Sequence, residues 1–242
     1  VGAGHATPIT TGSNLIFADT AGHIREMSYQ DTAAGYLTGD LSLRAPHLFD
    51  TYEIVDSAQV KAPYPVLWFV SSSGKLLGIT YIPEQQVAGW HQHDTAGLFE
   101  SVAAVREGSE TALYAVIQRE INGSSVRYVE RMRSRAFSAA ADAFFVDAGV
   151  YYSGVAIDEV TGGLDHLEGE IVSILADGAV CPQQTVIDGG LPDPLPAECE
   201  TIIIGLPIEA DLQTLPFAIE MPGAGQGRPK NVNEVWLRVY RS

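Results

Sequence analysis

The sequence predicts a mainly β protein, with β-propeller-like blades over residues 1–135 followed by a small β-barrel or β-sandwich domain over residues 136–242. Three observations carry this expectation. Short runs rich in Val, Ile, Tyr and Phe alternate with Gly, Asp, Asn and Ser turns roughly every 8 to 12 residues. Helical spacing is nearly absent, and its best case, the alanine-rich stretch 137–145, is short. One hairpin grammar also occurs three times: an apolar strand, a polar turn with glycine, then a second strand ending in aromatic or charged residues.

The first copy places strands at 14–18 and 24–29 around the turn 19–23. The second has strands at 66–70 and 76–81 around 71–75, and the third has strands at 112–117 and 126–131 around Asn122-Gly123. The equivalent leucines, Leu15, Leu67 and Leu113, are 52 and 46 residues apart. After the second hairpin, residues 86–91 are expected as a third strand and 100–105 as a fourth. Four strands recurring at this period are the mark of propeller blades. Asn122-Gly123 supplies the positive φ angles that a two-residue hairpin loop requires. This outweighs its match, with Ser124, to a glycosylation acceptor. Three blades cannot close a ring of four to eight, so the propeller reading calls for further blades upstream. The chain opens at Val1 in glycine-rich sequence and is expected to be a piece of a longer protein.

Past residue 135 the pattern changes. Strands are expected at 170–175, 185–187, 201–206 and 232–240, with Asp177-Gly178 as a hairpin turn. The proline-rich stretch 191–196 reads as a loop or edge.

Composition bounds the function. The chain has 242 residues, 46% of them hydrophobic and 18% charged, enough to bury a sizeable core. Thirty acidic residues against 14 basic ones leave a formal charge of −16, which argues against gripping nucleic-acid phosphates. No apolar run approaches the roughly 18 residues of a membrane helix. Cys181 and Cys199 lack metal-ligand spacing, and a chain of this size does not need a disulfide between them, although one is open to it.

Several clusters invite chemistry. His91 and His93 would share one face of a strand and could hold a metal, but no third ligand is evident, and a structural role is favoured with Trp90 as a neighbouring anchor. Asp165, His166 and Glu168 are too close in sequence for an acid/base pair across a cleft and read as a hydrogen-bonded turn. The glycine-rich stretch 223–227 reads as a loop. Arg127, Arg131, Arg133 and Arg135 form the basic concentration of an acidic chain and fit a salt-bridge patch between domains or subunits better than a phosphate site. No catalytic, cofactor or metal site is expected.

An ordered series of segments then becomes specific. Ala45-Pro46-His47-Leu48, Leu67-Trp68-Phe69-Val70, Gly74-Lys75-Leu76-Leu77-Gly78-Ile79-Thr80-Tyr81 and Gln86-Val87-Ala88-Gly89-Trp90-His91-Gln92-His93 are followed by Glu100-Ser101-Val102-Ala103, Arg119-Glu120-Ile121-Asn122-Gly123, Arg127-Tyr128-Val129-Glu130-Arg131 and Gly163-Leu164-Asp165-His166-Leu167-Glu168-Gly169. The series resembles the C-terminal part of the tail nozzle proteins of short-tailed bacteriophages, also called tail tubular protein B or packaged-DNA stabilisation proteins. The resemblance implies a structural virion protein and not an enzyme. It implies a hexameric ring below the portal and adaptor, with fibres or spikes nearby, assembled in the host cytoplasm, through which phage DNA passes without sequence-specific binding. The alternatives are a carbohydrate- or protein-binding β module, which an exposed aromatic platform near Trp90 would favour, and a glycan hydrolase using Asp165 and Glu168.

Overall fold

A computed structural model describes residues 2–85, 87–134, 136–213 and 234–236. The chain separates into a compact unit of residues 1–208 and a second unit of residues 209–242. The expected strand at 232–240 lies outside the described residues except for 234–236, which are not in a strand, and the loop 223–227 lies wholly outside them.

Within the larger unit, four antiparallel sheets follow one another along the chain. The first is β1 (Ile9–Thr11), β2 (Asn14–Ala18), β3 (Ile24–Gln30) and β4 (Gly35–Asp40) in meander order. The second is β5 (Ile54–Val60), β6 (Val66–Ser71), β7 (Leu76–Ile82) and β8 (Val87–His93), again a meander. The third is β9 (Leu98–Glu107), β10 (Glu110–Ile121) and β11 (Ser124–Arg131). The fourth holds β12 (Val146–Ile157), β13 (Ile171–Ala176), β14 (Ala179–Thr185) and β15 (Cys199–Pro207) in the order β12-β15-β13-β14.

All three predicted hairpins form, with their neighbours arranged differently from expectation. The strand at 100–105 pairs with β10 and opens the third sheet; it does not complete the second. Each of the first three sheets takes the strand that precedes its hairpin, so β5 fills the place assigned to β9. Residues 137–145 are not helical and make a single 3-10 turn at Ala140–Asp142, because the run is too short to nucleate a helix without an apolar stripe to bury. In place of the expected barrel or sandwich, the described residues form an open four-stranded sheet, too few strands to close around a filled interior. Its covering layer is made of loop residues, including Leu164, Leu167, Val186 and Leu195.

Turn chemistry fixes the registers. Asn122-Gly123 (φ 51° and 73°) and Asp177-Gly178 (φ 45° and 82°) are two-residue loops with both residues left-handed. The five-residue turns 19–23 and 71–75 share one hydrogen-bond pattern. The Asp19 N–H donates to His23 O at 2.8 Å and the Gly22 N–H to Asp19 O at 3.0 Å; the Ser71 N–H donates to Lys75 O and the Gly74 N–H to Ser71 O, both at 2.9 Å. The likeness extends beyond the turn. Strands β2, β3 and β4 begin at 14, 24 and 35, and β6, β7 and β8 at 66, 76 and 87, each 52 positions further on.

The first three sheets stack face to face. Leu67, Phe69, Leu77 and Ile79 of the second sheet pack with Ile16 and Ile24 of the first, and Phe49 closes this layer. From the opposite face, Val66, Trp68 and Val70 pack with Val102, Leu113, Ala115 and Ile117 of the third. Covered on both faces, β6 is buried at every position and reads as a continuous apolar run, where a one-sided strand would alternate.

Candidate functional site

The densest polar constellation joins the third sheet to the fourth. Arg119 continues the inward parity of Leu113, Ala115 and Ile117 on β10, and only 4% of it is exposed. Its Nε donates to Glu130 Oε1 at 2.6 Å and its Nη2 to Glu130 Oε2 at 2.8 Å. Nη2 also reaches Asp147 Oδ1 on β12 at 3.3 Å, and Nη1 donates to Ala96 O at 3.1 Å. The other Asp147 oxygen accepts from the Thr95 hydroxyl at 2.6 Å. Burial works against the guanidinium charge, but the two carboxylates outweigh it and push Arg119 above the usual arginine range.

A bulge aims Asp147 at this site. Asp147 pairs with Leu206 and Val150 with Ile204, so Ala148 and Gly149 stand opposite Gly205 alone. A Cβ on Gly205 would sit 2.7 Å from Asp147 O and 2.8 Å from Gly149 Cα, so the close approach requires glycine there. His166 fixes the bulge by donating from Nε2 to Ala148 O at 2.8 Å.

The arginine cluster pairs within the molecule. Arg127 makes a two-pronged contact with Glu100, and Arg131 binds Glu107 and Glu110. Arg127 holds the Glu100 carboxyl below the usual range, Arg131 and the Tyr114 hydroxyl do the same for Glu107, and Ser134 with Arg131 for Glu110. The Arg133 guanidinium lies 5.4 Å from the Phe144 ring centroid and 4.7 Å from that of Tyr151, adding a cation–π bridge toward the fourth sheet. Arg135 lies outside the described residues. These arginines act as ties between strands and sheets, with acceptors close at hand.

The other candidates are placed as follows. His91 and His93 share the face of Trp68, with His91 Nδ1 2.9 Å from His93 Nε2. A side chain at Gly78 would collide with the His91 ring. Among the described residues, no group of three or more His, Cys, Asp and Glu could hold a metal ion. Trp90 faces the other way, packing on Phe49 and Phe69 and donating its Nε1 hydrogen to Leu41 O at 2.8 Å, so it offers no exposed platform. Asp165 and His166 sit in a 3-10 turn, and Glu168 accepts from the Asp188 and Gly189 N–H groups at 3.1 and 2.8 Å. Cys181 and Cys199 are free and buried on β14 and β15, with β13 between them in the sheet.

No known protein-family profile matches the chain, and no curated protein matches it. Among the described residues, no helix is long and apolar enough to cross a membrane.

Among the described residues, a groove of about 470 Å³ lies on the fourth sheet. Val150, Tyr152, Ile157, Leu164, Ile202 and Ile204 give it apolar walls, and Glu159 is the single carboxylate of the lining. Among the described residues, neither Asp165 nor Glu168 lines it. The ordered motifs include Arg119, but the sequence pattern gives no site role to it or to Asp147. The signal was a lone cation on the buried parity of an apolar strand, which demands a partner elsewhere in the chain.

Proposed function

We propose that this chain is a structural virion protein of a short-tailed bacteriophage, part of the tail nozzle through which packaged DNA is retained and then ejected. The observation that supports the reading is the stack of antiparallel meanders, two of them offset by 52 residues, an arrangement that a row of propeller blades would share. It stands beside the ordered motifs that resemble the nozzle family. The chain works by architecture and not by catalysis: its arginines serve as ties. Its partners are further copies in a hexameric ring, the portal or adaptor above, and fibres or spikes alongside, all within the tail of the virion assembled in the host cytoplasm.

The formal charge of −16 suits this role. A wall of net negative charge repels DNA phosphates, so a duplex slides past it. Native mass spectrometry over a wide concentration range tests the ring: a six-membered assembly is expected, and a closed ring of another number overturns the hexamer. A gel-shift titration at low salt tests the wall. Free passage of duplex DNA is expected, and retention that weakens with salt overturns it.

The groove favours a second reading, a binding module that seats a small apolar or glycan ligand beside Tyr151 and Tyr152. A glycan array that finds a ligand sensitive to Tyr152→Ala would favour this reading over the first.

A further inference from the structure

The two faces of each stacked sheet have separate jobs, and the stack runs in one sense. In the second sheet, Leu67, Phe69, Ile79 and Tyr81 receive the first sheet, while Val66, Trp68 and Val70 receive the third. In the third, Leu113, Ala115 and Ile117 turn back to the second. The Leu67-type face therefore always meets the preceding sheet. Shifted back by 52 positions, Leu67, Phe69, Ile79 and Tyr81 become Leu15, Phe17, Met27 and Tyr29. Strand pairing agrees, since Leu15 stands opposite Met27 as Leu67 stands opposite Ile79, and Phe17 opposite Arg25 as Phe69 opposite Leu77.

The burial differs sharply. Leu67, Phe69, Ile79 and Tyr81 are between 0% and 6% exposed. On the first sheet, Leu15, Phe17 and Met27 are half-buried, Tyr29 is 53% exposed and its cross-strand partner Tyr36 is 68% exposed. Among the described residues, none of these five belongs to a buried apolar cluster. A face on which Leu15, Phe17, Met27, Tyr29 and Tyr36 gather around the Arg25 ion pairs is the kind that marks an interaction surface.

We infer that the Leu15–Phe17–Met27–Tyr29 face of the first sheet docks one further antiparallel β-meander of the same repeat, stacked in the same sense. The existing contact defines the partner's chemistry. It presents aliphatic residues where Ile16 and Ile24 lie, and a carboxylate where Glu26 lies. At the first-to-second contact, Glu26 accepts from the Tyr81 hydroxyl, and Asn14 Nδ2 donates to the Tyr81 hydroxyl oxygen at 3.0 Å. Tyr29 occupies the place of Tyr81 and would meet the partner's carboxylate in the same way. Arg25, which replaces Leu77, is already matched by Asp19 at 2.9 Å and Asp40 at 3.2 Å, so it leaves no unpaired charge on the face. A second copy of the chain fits less well. In the same sense it would offer the outer face of the third sheet, where Arg127–Glu100 and Arg131–Glu107 pairs replace Val66, Trp68 and Val70. The inference rests on the same stack of meanders that supports the tail reading, but it concerns one sheet contact and no ring, so it can fail while that reading stands.

The test is a tandem protein in which a second copy of residues 1–52 is fused ahead of the full chain, so that its Ile16 and Ile24 can lie on Leu15 and Phe17. The added copy should fold onto the chain, raise the melting temperature by several degrees, and protect the amides of β2 and β3 from hydrogen exchange. Phe17→Asp in the downstream copy should erase the gain, and Tyr29→Phe there should remove part of it. The same substitutions in the unextended chain give the baseline loss, and the effect on docking is read as the excess loss in the tandem protein over that baseline. An added copy that stays protease-sensitive with no gain in melting temperature overturns the inference. So does a native-mass dimer of the unextended chain that Phe17→Asp dissolves, because the occupant is then a second copy.

Discussion

The contact between the first two sheets and the junction between the third and fourth are built from different materials. Ile16, Ile24, Phe49, Leu67, Phe69, Leu77 and Ile79 make the first, and its main polar feature is the Tyr81–Glu26–Asn14 network. At the second, a buried guanidinium is held by two carboxylates and a carbonyl from three chain segments, with a cation–π bridge nearby. Apolar packing is non-directional and tolerates a regular repeat, so one sheet can follow another in a fixed register. A buried ion pair fixes geometry at a single point and loses its value when a partner is missing. The first device suits a stack; the second suits a joint between sheets of different topology.

The largest expected effect tests the packed contact. Phe69→Ala removes a ring that is 1% exposed from the centre of two layers and should cost about 3–5 kcal/mol. Urea denaturation would show the midpoint falling with the slope unchanged, and a loss under about 1 kcal/mol would mean that the sheets do not rely on this layer.

Arg119→Met comes next. It leaves Asp147 and Glu130 facing each other without their cation, and a loss of about 2–4 kcal/mol is expected. Arg119→Lys should recover only part of it, because an ammonium cannot span both Glu130 oxygens. Full recovery by lysine would mean that charge alone holds the joint and would blur the contrast with the packed contact.

How far each region could be read in advance follows the same division. The hairpins of the first three sheets were legible because glycine turns at 22, 74 and 123 punctuate alternating apolar runs, and local chemistry decides both. The exchange of β9 into the third sheet was not, since adjacent hairpins compete for any strand between them and only the stacked core chooses. In the fourth sheet, Asp177-Gly178 and the Thr201–Leu206 run were plain, whereas β12 went unnoticed. Its apolar positions are interrupted by Ala148, Gly149 and Gly154, and the bulge that gives those residues meaning depends on Gly205, far along the chain. The Arg119–Asp147 pairing was hidden for the same reason.

Titration probes the first sheet and its contact with the second more gently. Burial raises the Asp19 carboxyl, but the Arg25 guanidinium and the Ala21 and His23 N–H groups outweigh it and hold the group below the ordinary value of 3.8. The fold therefore favours the ionised form. Its contribution is complete above 3.8 and is lost as pH falls through the lower folded value. Asp19→Asn should flatten the acid limb of stability against pH. At the alkaline end, burial and then the bond to Glu26 push the Tyr81 hydroxyl up to about 12. That contribution is present below the ordinary value of 10 and fades as pH rises toward 12, so Tyr81→Phe should flatten the alkaline limb. Unchanged limbs in both variants would place the pH sensitivity elsewhere.

The smallest expected effect is also informative. Arg127 pairs with Glu100 at 2.7 Å, closer than Arg119 comes to Asp147, yet its side chain is 64% exposed. Water competes for both charges, and ordering two long side chains offsets what the pair gains. Arg127→Ala should leave the denaturation midpoint where it is, while salt that weakens surface pairing should leave the Arg119 joint intact. A clear loss in Arg127→Ala would mean that the outer face of the third sheet is held by its charges. The distinction between a packed stack and an ion-paired joint would then have to be redrawn to include that face.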